Sequence, residues 1–144
     1  MVNSFTNAEI RKIADAIADA ELETSGEIRV HIEPRLKGDA LERAVLIFRR
    51  LKMDRTKERN GVLILIALKS RAFAILGDVG ISEKAPPDFW NITRDLMQAY
   101  FREDRFLEGV IAGVHKAAES LRTHFPHRRD DTNELSNDVT ISKE

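Results

Sequence analysis

Eight consecutive residues, Gly61-Val62-Leu63-Ile64-Leu65-Ile66-Ala67-Leu68, carry no polar side chain. A strand with one wet face alternates apolar and polar residues, whereas a strand apolar at every position is covered on both faces. The polar tripeptide Lys69-Ser70-Arg71 separates this run from a second one, Ala72-Phe73-Ala74-Ile75-Leu76. Two apolar runs too short to be separate helices, joined by a few polar residues, read as a β-hairpin. The first run is then the central strand of a sheet with a layer packed on either side. The second ends in Gly77-Asp78-Val79-Gly80-Ile81. A carboxylate and flexible backbone meet there at a strand end, a place suited to binding.

The flanking segments supply the two layers. Thr6 and Glu9 have the spacing of a capping box, and Phe5 and Ile10 that of a hydrophobic staple. Ile10, Ile13, Ala14 and Ile17 continue a helical stripe to about Leu22. Glu27-Ile28-Arg29-Val30-His31-Ile32-Glu33 alternates strictly, so it predicts a half-buried strand nearer an edge than the centre, ended by Pro34. Asp39 and Glu42 mark the start of a second helix with Leu41, Val45, Phe48 and Leu51 on its stripe. Pro86 and Pro87 suit the entry to a third, aromatic-rich helix. Asp104 stands where it would cap a fourth, whose buried side is Phe106, Val110, Val114, Ala117 and Leu121, and Pro126 stops it.

The order α-β-α-β-β-α-α predicts a single α/β domain over residues 1–126, with a small mixed sheet between helices. The first two strands are parallel through a right-handed crossover and the third is antiparallel. Residues His127 to Glu144 are polar and read as a disordered tail.

Composition removes several functions. With no cysteine there is no disulfide, no thiolate nucleophile and no cysteine-ligated zinc, and the chain suits a reducing cytoplasm. A net charge of -1 does not make the whole surface a trap for nucleic acid. The basic stretch Arg49 to Arg59 is interrupted by Asp54 and Glu58 and has no aromatic residue to stack bases. The N-terminal residues lack a leader pattern, and the longest apolar run is far short of about 20 residues, so neither secretion nor a membrane span is expected.

Taken together, four segments resemble the TPM domain family. They are Thr24-Ser25-Gly26-Glu27-Ile28-Arg29-Val30, Asn60-Gly61-Val62-Leu63-Ile64-Leu65, Gly77-Asp78-Val79-Gly80-Ile81, and Tyr100 to Phe106 followed by Glu108-Gly109-Val110. The likeness covers roughly Phe5 to Phe125. Where the family commonly has Gly-Tyr-Gly at the strand end, this chain has a carboxylate. The resemblance implies a small α/β domain, divalent-cation binding as in some members, and acid phosphatase activity as reported for a plant member.

The acidic residues of these segments are the candidate ligands. An antiparallel third strand puts Asp78 on the same sheet edge as Glu27 and Asn60-Gly61. If the family arrangement holds, Asp104 and Glu108 join them, giving hard oxygen ligands suited to calcium or magnesium. The favoured reading is therefore a divalent-cation binding or interaction module, with Glu27, Asp78, Asp104 and Glu108 as metal ligands. A weak metal-dependent acid phosphatase and a metal-free protein–protein interaction domain are the alternatives. The sequence has no Asp-x-Asp pair and no Arg-His-Gly triplet, which leaves a phosphatase only metal-activated water.

Overall fold

The computed structural model describes residues 4–127 and 139–142. Helix α1 spans Asn7–Glu21, strand β1 Glu27–Glu33 and helix α2 Ala40–Arg50, followed by a 3-10 turn at Met53–Arg55. The hairpin is β2, Gly61–Ala67, and β3, Ala72–Gly77. Three helices follow: α3, Val79–Lys84; α4, Phe89–Arg102; and α5, Phe106–His124. A short β4, Thr140–Ile141, ends the described chain.

The sheet order is β3-β2-β1-β4, with β1 parallel to both β2 and β4, and β2 antiparallel to β3. β2 is central and all seven of its residues are buried, as the unbroken apolar run requires. Its two faces enter two different cores. Val62, Ile64 and Ile66 join Ile28, Val30 and Ile32 of β1 beneath α1, α4 and α5, while Leu63 and Leu65 pack on Ala44, Ile47 and Phe48 of α2. The helix starts agree with their sequence signals where a short polar side chain precedes the helix. Thr6 and Glu9 form both bonds of the capping box, at 2.9 and 3.1 Å, and Asp39 accepts from the Glu42 N–H at 3.0 Å.

Small residues let α5 lie close to α4 and the sheet. A Cβ on Gly109 would come within 2.4 Å of the Phe101 ring, and one on Gly113 within 2.6 Å of Met97 Sδ. The Gly-x-x-x-Gly spacing therefore serves helix packing rather than a membrane. No helix among the described residues is long and apolar enough to cross one.

Three expectations need correction. Gly77 to Ile81 is not only a turn: Asp78 caps the added helix α3. β1 is not half-buried, because all seven of its residues are buried. Its polar row lies under α2 and beside β4: Glu33 pairs with Arg43 at 2.8 Å, and His31 bridges the Thr140 and Ser142 hydroxyls at 2.7 and 2.8 Å. Alternation marked the chemistry of the two faces correctly, but polar partners cover the second face instead of water. Finally, the expected tail includes β4. Val139 packs on the larger core and the Ser142 N–H donates to the Ile32 carbonyl, so residues 139–142 are tied to the domain. The rest of the segment, 128–138 and 143–144, lies outside the described residues.

Candidate functional site

The four candidate ligands divide between opposite ends of the sheet. β1 and β3 flank β2, with Glu27 opposite Gly61 and the Asp78 N–H bonded to the Gly61 carbonyl at 2.9 Å. Glu27 and Asp78 thus share one edge, as the hairpin register requires, about 10 Å apart across two strand spacings. Asp104 instead accepts from Arg71, in the hairpin turn, at 3.0 Å. The length of β3 separates the two ends, roughly 20 Å at 3.3 Å per residue. Glu108, in the first turn of α5, pairs with Arg105 at 2.6 Å and stays with Asp104. The expected gathering of all four does not form, because the loop into α5 closes over the hairpin turn and not over the Gly77–Gly80 end.

Asp104 also has a different local role. Its φ is +58°, the left-handed region that aspartate tolerates better than most residues, and Arg105 rather than Asp104 precedes the helix. It reverses the chain between α4 and α5 without capping the second helix by its side chain.

Asp78 is 6% exposed and fully engaged. Its two oxygens accept from Arg59 Nε and Nη2 at 2.7 and 2.8 Å, the parallel fork that guanidinium and carboxylate form most strongly. One of them also accepts from the Val79 N–H at 2.8 Å, capping α3. The Asp78 contact in turn raises the Arg59 pKa, chiefly through the hydrogen bond. This carboxylate is a structural clasp between the loop before β2 and the start of α3.

The more unusual chemistry surrounds Glu27, which is 3% exposed. Glu21, at the end of α1, hydrogen-bonds Glu27 and accepts from the Ile28 N–H at 2.8 Å. Burial pushes the Glu21 pKa from an ordinary 4.5 up to about 7, against the opposing pull of the Ile28 N–H, the Glu27 hydrogen bond and the Arg29 charge. Beside this carboxyl pair, the Glu27 N–H donates to the Asn60 carbonyl, and the Asn60 amide lies 3.5 Å from the Ser25 hydroxyl and 3.4 Å from Glu58. Asn60 is 1% exposed, yet its Oδ1 has no hydrogen-bond partner among the described residues. Thr56, in the same loop, has an equally buried and unpartnered hydroxyl. Among the described residues, no group of three histidine or acidic side chains converges as a metal centre would need.

Sequence reasoning missed Glu21 because it sits at the end of an amphipathic helix, where a glutamate is ordinarily solvated. The signal was the tight connection. Only Leu22 to Gly26 separate α1 from β1, so the last helical carboxylate must fold back onto the first strand residue.

The Glu21–Glu27 pair predicts a pH dependence of definite sign. The unfolded Glu21 loses its proton near 4.5 and the folded one near 7, so between these values the folded state binds more protons. Its contribution to stability therefore falls as pH rises from 4.5 to 7 and stays low above that. Glu21→Gln keeps an oxygen for the Ile28 N–H and gains a permanent donor toward Glu27. At pH 8 this variant should be more stable than the parent by about 2–3 kcal/mol. The gain should vanish near pH 4.5; urea titrations at the two pH values measure it.

Comparison with known proteins agrees with the fold. Residues 1–120 match the TPM domain. No curated protein matches the chain. The BA42 protein from the psychrophilic bacterium Bizionia argentinensis is 43% identical, with 99% of each chain covered and a TM-score of 0.89. The N-terminal domain of a protein from P. gingivalis shares the fold at 19% identity and a TM-score of 0.65, covering 87% of this chain and 83% of its own. The N-terminal domain of the cg2496 protein from Corynebacterium glutamicum does so at 13% identity and the same TM-score of 0.65, covering 82% of this chain and 74% of its own. With its capped first helix, its central hairpin and the matched span from residue 1 to 120, this chain belongs to the TPM domain family.

Proposed function

We propose that the chain is a divalent-cation-binding domain whose working end is the sheet edge at Glu27, Glu58 and Asn60, with calcium or magnesium as ligand. The observation that carries this reading is the buried oxygen cluster around the Glu21–Glu27 carboxyl pair. Two carboxylates in contact repel each other once both are ionised, and here one holds its proton to about pH 7. A hard cation would replace that proton. The unpartnered Asn60 Oδ1 is a neutral oxygen of the kind such ions accept beside carboxylates. Two carboxylates and neutral oxygens make a weak site, in the millimolar class of extracellular calcium modules rather than the tight class of EF-hands.

Asp78 is a poorer ligand than its position suggested, because binding through it would break the Arg59 fork. Asp104 and Glu108 belong to the other end of the domain and take no part.

A calcium titration followed by amide chemical shifts should move residues 25–28 and 58–61 first, and leave 103–108 unmoved. Calorimetry near pH 6.5 in two buffers of different ionisation enthalpy should show net release of close to one proton per ion bound. Glu27→Gln should abolish both effects. If 10 mM calcium and 10 mM magnesium leave those amides in place, the cation reading fails and the interaction-module reading replaces it.

A further inference from the structure

A cavity of about 170 Å³ opens at the hairpin-turn end of the domain, between β3, α4 and the start of α5. Its apolar floor is Ile66, Phe73, Phe101 and Phe106. Phe101 stands edge-on to Phe73 at 4.9 Å and is stacked on Phe106 at 5.7 Å, so the rings form one rigid surface. Gly109 permits this, since a Cβ there would meet the Phe101 ring. A cavity of about 150 Å³ in an apolar core accepts a benzene ring, which sets the size of the body that fits.

The mouth is cationic. Arg71 and Arg102 both line it. Arg71 pairs with Asp104 at 3.0 Å and lies 5.6 Å from the Phe106 ring centre, which holds its guanidinium over the floor. Arg102 is exposed, and among the described residues its guanidinium has no ion pair or hydrogen bond. The side-chain amide of Gln98, also lining the mouth, has none either. One fork is therefore committed and one is open, above an aromatic floor.

From this geometry we infer that the cavity binds a small monocarboxylic acid with a phenyl-sized apolar body. The ring lies on Phe73, Phe101 and Phe106, and the carboxylate accepts the two parallel N–H groups of Arg102, with Gln98 as a further donor. Free inorganic phosphate matches the fork but leaves the floor wet, and a neutral aromatic amide matches the floor but leaves the fork open. Both elements together select the aromatic acid. This site is independent of the cation site at the opposite end of the sheet.

Phenylacetate is a suitable probe, with phenylacetamide and inorganic phosphate as the two half-matched controls. Phenylacetate should shift the ring signals of Phe73, Phe101 and Phe106 and the amides of residues 98–102 with a millimolar dissociation constant, and each control should bind at least fivefold more weakly. Arg102→Gln, a surface change that should leave the melting temperature unaltered, should weaken phenylacetate about tenfold. The proposal is overturned if 10 mM phenylacetate moves none of these signals, if phenylacetamide binds equally well, or if Arg102→Gln leaves the affinity unchanged.

Discussion

Ile64→Ala should destabilise the domain by about 4 kcal/mol, near the upper end of the large-to-small range. Ile64 is fully buried in the middle of β2, between strands on both sides, and faces the larger core. Its Cδ1 reaches α5, lying 3.2 Å from the place a Cβ on Gly113 would occupy. Strand pairing fixes the backbone beneath the side chain, and the Gly113 helix contact fixes the layer above. Neither can collapse into the space vacated by three carbon atoms, so the cavity term is retained almost in full. Urea unfolding at constant slope would measure the loss. A change below about 1.5 kcal/mol would mean the core relaxes, contrary to the packing described. Ile75, on the more exposed β3, is the natural comparison, because it is only partly buried.

Gly80→Ala should be comparably damaging for the opposite reason. A Cβ there would stand 2.1 Å from the Glu58 carbonyl oxygen and 2.5 Å from that of Arg59. Both obstacles are backbone, and the Gly80 N–H also donates to the Arg59 carbonyl at 2.8 Å, so the two segments cannot part without losing that bond. Inserted bulk that backbone must absorb costs 1–3 kcal/mol and sometimes more, and about 3 kcal/mol is expected here. The Asp78–Arg59 fork should be disturbed as well, since it spans the same contact. Loss of the Arg59 Nε–H signal from its shifted, slowly exchanging position would register this. Gly38→Ala provides a contrast: it stands in open space with φ at +82°, so only the conformational strain of about 1 kcal/mol applies.

These two glycines also show what was legible in the sequence. The Gly77–Gly80 segment was recognisable as special, but the reason was not. Flexible backbone at a strand end looks the same whether it receives a ligand or another loop, and only the hairpin register with β2 brings Glu58 and Arg59 against it. By contrast, the layers and the strand directions followed from period alone. An apolar octet needs two covered faces, and a strand, a helix and a second strand of the same sheet have one common handedness. Asp104 lies away from the Glu27–Asp78 edge because the position of the three-residue connection between α4 and α5 is set by aromatic packing on Phe101 and Phe106, which acidic spacing cannot reveal. Glu21 and His31 are each a polar residue in an ordinary amphipathic position, and it is the packing around them, by the next strand for Glu21 and by a distant segment for His31, that gives them their character. For His31, burial lowers the pKa despite the neighbouring Glu33, and its two hydroxyl partners lie more than 100 residues away.

The attachment of β4 to β1 also orders events in time. β1 is among the first elements a ribosome makes, and residues 139–142 come after every other described element. From the synthesis of His124, which completes α5, to that of Thr140 takes about 1–3 s at 5–20 residues per second. During that interval the helices and the hairpin can already be assembled, while the outer edge of β1 at His31 and Ile32, where β4 will pair, is open to a neighbouring strand. The late arrival of two residues, held by the hydroxyls that flank His31, covers the C-terminal part of that edge, which would otherwise be open to pairing between chains on the same polysome.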